Sequence, residues 1–149
     1  MIAKTRGRMR LCVGFLALNL LFIWGNSMLP ASVSSAISQW VKKLLWFLFE
    51  GGTGEPGGDG YLRKLAHFLE FTSLGFLFCW LFAMLRKLPI QVGTAALVCG
   101  FLAACVDESI QLLSPGRNAN FLDVLLDTSG VALGIVLLQF GYNIRNQKQ

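Results

Sequence analysis

Four long stretches without charge limit what this chain can fold into. Leu11 to Leu29 and Leu88 to Val106 each run 19 residues without a charged side chain, and Thr128 to Ile144 runs 17. Ala66 to Leu85 covers 20 residues and is interrupted only by His67 and Glu70, both near its start. A helix needs about 20 apolar residues, within a range of roughly 17 to 25, to cross the hydrocarbon core of a bilayer. Backbone groups find no water there, so packed helices are the economical way to satisfy them. The expected fold is therefore all-α. It is a polytopic membrane protein of one domain over residues 1–149, with transmembrane helices at about 11–29, 65–85, 89–107 and 122–142. A water-soluble bundle does not fit, because only 14% of residues are charged and 54% are apolar. Soluble domains carry about a quarter charged residues.

The net charge of +5 raises nucleic acid as a partner, but its distribution argues for topology instead. Lys4, Arg6, Arg8 and Arg10 precede the first span, Arg86 and Lys87 separate the second from the third, and Arg145 and Lys148 follow the fourth. In a chain that weaves four times these eight lie on one side, against Lys42, Lys43, Arg63, Lys64 and Arg117 on the other. The positive-inside rule makes the eight-residue side cytoplasmic, with both termini. The expected location is a membrane with the termini in the cytoplasm, and nucleic acid is not an expected partner. All eight acidic residues then fall on the outer side. The basic start and the small residues near Ser34 to Ala36 also allow a cleaved signal peptide. The uncharged run is long for one, and we read it as a retained span.

Between the first two spans, Ile37, Trp40, Val41, Leu44, Leu45 and Leu48 recur at helical spacing, with Lys42 and Lys43 on another face. That pattern suits an amphipathic helix lying in the outer interface. Gly51 to Gly60 holds six glycines and a proline and reads as a loop. Cys12, Cys79, Cys99 and Cys105 lie in or at the ends of apolar spans without metal spacing and read as core residues. Gly130 and Gly134 give the fourth span a small-residue face that lets another helix approach closely. Such a face supports packing in general, and a homo-oligomer through Gly130 and Gly134 is one form it can take.

The polar residues converge on the outer ends of the last three spans. Arg63, Lys64, His67 and Glu70 are neighbours at i,i+3 and i,i+4 on the second span. Asp107, Glu108 and Gln111 end the third, Asp123 and Asp127 are one turn apart on the fourth, and Arg117 lies in the loop between. A charged side chain in mid-membrane costs about 2.5–3.5 kcal/mol on insertion scales, so such groups face a protein interior or a wet cavity. Clustered at one depth, they point to a polar pocket open to the outside. The competing explanation is ordinary solvation of helix ends, with Asp123 favoured at a helix amino terminus.

Three ordered segments, KLAHFLEF (Lys64 to Phe71), DESIQLLSPGR (Asp107 to Arg117) and DVLLDTSGVALG (Asp123 to Gly134), resemble the successive motifs of the VanZ-like family. Asp127 stands where many relatives have Asn, so a charge there is not a family requirement. The resemblance implies a bacterial membrane protein from a family named for teicoplanin resistance. It also implies a link to glycopeptide and lipoglycopeptide antibiotics, which act where cell-wall precursors are displayed at the outer leaflet.

Two functional readings and a structural one remain open on the residues themselves. As a binding module, Arg117 with Lys64 or Arg63 would hold an anionic lipid head group or a lipid-linked cell-wall precursor. The fork of arginine suits phosphate. Asp107, Glu108, Gln111, Asp123 and Asp127 would complete the ligand site. The ligands expected are membrane lipids, such a precursor, or a glycopeptide antibiotic. As an enzyme, the sole histidine, His67, would be a general acid or base oriented by Glu70 or by an acid of the third or fourth span. In the structural reading these groups only bond helices together. His67 with Asp107, Glu108 or Asp123 offers metal-ligand types, but one histidine and scattered acids make no metal motif. Neither a metal nor a cofactor is expected.

Overall fold

The computed structural model describes residues 2–49, 60–85 and 89–147, with side chains described for 6–44, 61–85 and 90–143. The expected glycine-rich loop at 51–59, and Arg86, Lys87 and Lys148 from the positive-inside reading, lie outside the described residues. Those residues form five helices, α1 (Ile2–Met28), α2 (Ala31–Phe49), α3 (Gly60–Leu85), α4 (Pro89–Leu113) and α5 (Phe121–Gln147), and include no strand. Four of them are long and apolar enough to cross a membrane, over Arg6–Ser27, Tyr61–Leu85, Ile90–Leu113 and Phe121–Asn143. The all-α, four-span expectation therefore holds, and α2 is the short helix expected between the first two spans.

These helices exceed the membrane they need to cross. The four run 25 to 27 residues, which at about 1.5 Å per residue is roughly 40 Å, against a core of about 30 Å. The surplus turns at one end carry the polar residues. α4, for instance, continues past Asp107 to Leu113, which keeps Asp107, Glu108 and Gln111 on one rigid helix.

α3 is the hub and touches each of the other four helices. Its closest neighbour is α5, and glycines set that distance. A β-carbon on Gly134 would collide with the Thr72 carbonyl oxygen, and one on Gly75 with the backbone of Val131. One on Gly130 would press on the Phe68 carbonyl oxygen. The fully buried Val131 sits over Gly75 of α3 and Gly100 of α4, tying three helices together. Gly130 and Gly134, the small-residue face expected of the fourth span, thus serve packing within the chain. Both are buried in the α3–α5 contact, so that face is already covered within one chain. Leu74, Phe71, Ile23, Ala96 and Ala104 complete the buried core. Large apolar side chains such as Leu18, Phe22, Val98 and Phe140 point outward, as lipid-facing residues do.

The turns at the polar end are tightly specified. Gly116 takes a positive φ of 74°, which glycine adopts without steric penalty. With the Ser114–Arg117 backbone bond of 3.2 Å it folds the α4–α5 loop back over the bundle. Asn120 then caps α5: its Oδ1 accepts from the Leu122 amide at 3.1 Å. The Ala31 amide of α2 donates to the Pro115 carbonyl at 3.0 Å, anchoring α2 to the same loop.

Candidate functional site

The surplus turns of α1, α3, α4 and α5 meet around Asp107, whose side chain is fully buried. A buried carboxylate needs donors, and it has two: Ser27 Oγ at 2.6 Å and Gln111 Nε2 at 2.7 Å. Ser114 Oγ donates to the Ser27 carbonyl oxygen at 2.7 Å, so α1 is stitched to α4 twice. On the side facing α3, His67 Nδ1 lies 3.8 Å from Asp107 Oδ2 and 3.9 Å from Glu70 Oε2, beyond hydrogen-bond reach of both. Glu70 Oε1 accepts from Asn26 Nδ2 at 3.0 Å. Glu108 accepts from the Asn120 amide, fastening the start of α5 to α4. Lys64 Nζ and Asp123 Oδ1 form an ion pair at 2.7 Å on the exposed flank.

Arg117 is 8% exposed although it lies in a loop. Its Nη2 donates to the Asn26 carbonyl oxygen at 3.2 Å. Among the described residues, its Nε and Nη1 meet no hydrogen-bond partner. Burial pushes the guanidinium below its ordinary pKa and Arg63 adds to this, while Asp107 and Glu108 oppose it. A guanidinium stays protonated under all ordinary conditions, so a full positive charge lies here with open donors. It lines a cavity of about 100 Å³ together with Asn26, Ser34, Ser38, Arg63 and His67. Two guanidiniums, two hydroxyls, an imidazole and the Glu70 carboxyl group thus line one small space beneath α2. The larger grooves elsewhere are apolar and open sideways, for example between Phe15, Phe22, Leu69 and Phe76.

The site residues expected from the sequence fall at this end of the bundle in four settings, with His67 and Glu70 shared between the first two. His67, Glu70, Asp107 and Gln111 form the interior cluster with Asp127, which is 2% exposed and has no hydrogen-bond partner for Oδ1 among the described residues. Arg117 belongs to the cavity. Lys64 and Asp123 are paired outside it. Glu108 is buried and serves the α5 cap. Sequence reasoning missed Asn26, Ser27 and Asn120. The first two lie in an apolar span where small polar residues look unremarkable. Asn120, three residues before Asp123, carried a readable helix-start signature.

The sequence model of the VanZ-LLP1 family, described as VanZ/LLP1, matches residues 9–142. No curated protein and no solved structure matches the chain.

Proposed function

The chain belongs to the VanZ/LLP1 family of membrane proteins, and from that premise we propose that it binds the phosphate of an anionic lipid or lipid-linked envelope precursor in the cavity beneath α2. One observation carries this reading: a buried arginine keeps two of its three nitrogens without a partner among the described residues, and it lines a polar cavity. Leaving buried donors unmade is expensive, about 1–3 kcal/mol for each group and more for a charged one. An oxyanion in the cavity supplies charge-assisted acceptors of the kind these open donors lack. The cavity of about 100 Å³ is several times the roughly 10–15 Å³ that seats one water on the same measure, which leaves room for a small oxyanion. The acyl or prenyl chain of the ligand would lie along the apolar helix faces. In this reading the protein sits in the bacterial cytoplasmic membrane with both termini inside and the cavity at the outer leaflet. Engaging lipids there would contribute to glycopeptide or lipoglycopeptide resistance by covering or altering the antibiotics' surroundings.

The test is lipid retention by the full chain, read by native mass spectrometry. The wild type should hold anionic phospholipid or polyprenyl phosphate in preference to zwitterionic lipid. Arg117→Gln should weaken that by at least about tenfold, the loss expected when a charge-assisted bond is removed, and Arg117→Lys should keep part of it. Equal retention by wild type and Arg117→Gln would sink the reading. A second reading has its own support: the His67 imidazole faces Asp107 and Glu70, the surroundings of a general acid or base. Comparison of envelope lipids from cells expressing wild type or His67→Gln decides it. A species altered by the wild type alone marks an enzyme.

A further inference from the structure

We infer that His67, Asp107 and Asp127 form a binding site for one divalent cation of the Mn²⁺ or Zn²⁺ type, inside the bundle and next to the phosphate cavity. This departs from the sequence reading, which assigned no metal. It stands on observations other than those that carry the anion site.

The first observation is convergence. One ring nitrogen of His67 and one carboxylate oxygen each from Asp107 and Asp127 lie within 4.8 Å of one another. They come from α3, α4 and α5, so the grouping arises from the fold and not from a local acidic run. Two ligands of one ion, each at about 2.1 Å, lie roughly 3–4 Å apart. A closure of at most about 1–2 Å completes the set. One imidazole and two carboxylates suit borderline divalent ions rather than soft ones.

The second observation is independent of the first. Asp127 is 2% exposed, and among the described residues its Oδ1 has no donor. His67 Nδ1 is likewise buried and without a hydrogen-bond partner. Hydrogen bonding accounts for the other buried acids of the cluster in part: Asp107 has Ser27 and Gln111, Glu70 has Asn26 and Glu108 has Asn120. Among the described residues Asp127 Oδ1, Glu70 Oε2 and Glu108 Oε2 are buried without a donor, and of the three Asp127 Oδ1 belongs to the group that converges with His67 and Asp107.

The third is charge. Glu70, Asp107, Glu108 and Asp127 are buried or nearly so, against the guanidiniums of Arg63 and Arg117. The pairing of Lys64 with Asp123 removes that lysine from the balance. Buried acids in excess of bases are costly unless something neutralises them, and a divalent cation does so where the excess lies. Ser27 and Gln111 hold Asp107 as outer partners hold a metal-binding carboxylate. With three protein ligands the ion keeps open positions, and His67 lines the cavity in which a phosphate would meet them.

The experiment is electron paramagnetic resonance of Mn²⁺ on the full chain, purified without a histidine tag, stripped with EDTA, and kept free of phosphate throughout. The expected result is one tightly held Mn²⁺ per chain, with the nitrogen coupling of a directly bound imidazole in the pulsed spectrum. The chain contains one histidine, so that coupling can come only from His67. His67→Gln should abolish the coupling. Asp127→Ala should weaken binding by at least about tenfold, the lower bound for loss of even an outer partner. If either variant fails to fold, the wild-type coupling decides alone. No retained Mn²⁺, or retained Mn²⁺ without nitrogen coupling, overturns the proposal. Because phosphate is absent, neither result bears on the anion site.

Discussion

Along α3, the half from Thr72 onward packs against α5 so closely that Gly75 and Gly134 leave no space for a β-carbon. The half before it carries Arg63, His67 and Glu70 into surroundings where polar atoms outnumber their partners. The same pair of helices thus makes a dry seam at one end and an under-satisfied polar cluster at the other. In lipid, where apolar burial gives helices little reason to associate, close packing of small residues is what holds a bundle. The seam supplies this, and the polar end can then hold groups that do not stabilise the fold. Strain of that kind persists only where the surrounding structure over-determines it.

The sharpest way to break the comparison is to put bulk into the seam. Gly134→Leu should cost about 3 kcal/mol or more, the upper range for overpacking, because its first carbon already meets the Thr72 carbonyl. The measurement is loss of helical signal and monodispersity in detergent on heating. If Gly134→Leu is as stable as wild type, the two halves do not differ as described.

Next in size is Ser27→Ala, at the polar end but in its satisfied part. It strands Asp107 Oδ1, which now accepts at 2.6 Å, and removes the carboxylate's bond to α1. A buried acceptor left without its donor costs about 1–3 kcal/mol. Thermal unfolding should place this variant below wild type by that margin, and Ser114→Ala should show a smaller loss. Its hydroxyl contacts carbonyl groups already engaged in, or free to relax toward, helix bonds.

These two residues also show how far the sequence could be read. The spans were legible because a charge-free run of about 20 residues has few alternatives. The convergence of His67, Asp107, Arg117 and Asp127 on one end was legible too, because alternating spans force odd and even helix ends together. Ser27 was not, because a serine in an apolar helix can bond its own backbone and nothing local marks one that reaches another helix. The partner of Gly130 and Gly134 was likewise hidden. Spacing shows that a helix can come close, and only the three-dimensional arrangement shows that it is α3 of the same chain. The division of the acids followed the same logic. Asp123 and Asp127 are one turn apart, yet one meets Lys64 at the surface and the other is sealed inside.

A third test reverses the sign. Asp127→Leu, measured in EDTA, should raise stability by about 1 kcal/mol, since a buried polar group left without its partner costs about 1–3 kcal/mol that an apolar side chain of similar size does not. Unfolding temperature in matched micelles reads it out. A loss of stability instead would mean that Asp127 has a structural partner, and the contrast between seam and cluster would narrow to Asp107 and Glu70.

The smallest effect belongs to Lys64→Met. Its ammonium meets Asp123 at 2.7 Å, a good contact by distance, but the lysine side chain is 46% exposed and the aspartate 22%. Water and salt screen such a pair, and exposed pairs typically contribute about 0.2–1 kcal/mol. Asp123 also retains its favourable place in the first turn of α5, so it does not become an isolated charge when the lysine is lost. The expected change is therefore under about 0.5 kcal/mol, and it should shrink further in 0.5 M salt, where the Debye length falls to about 4 Å. A larger, salt-insensitive loss would show that Lys64 works as part of the buried cluster. The polar end would then be one connected network and not a sealed interior with a separate surface pair.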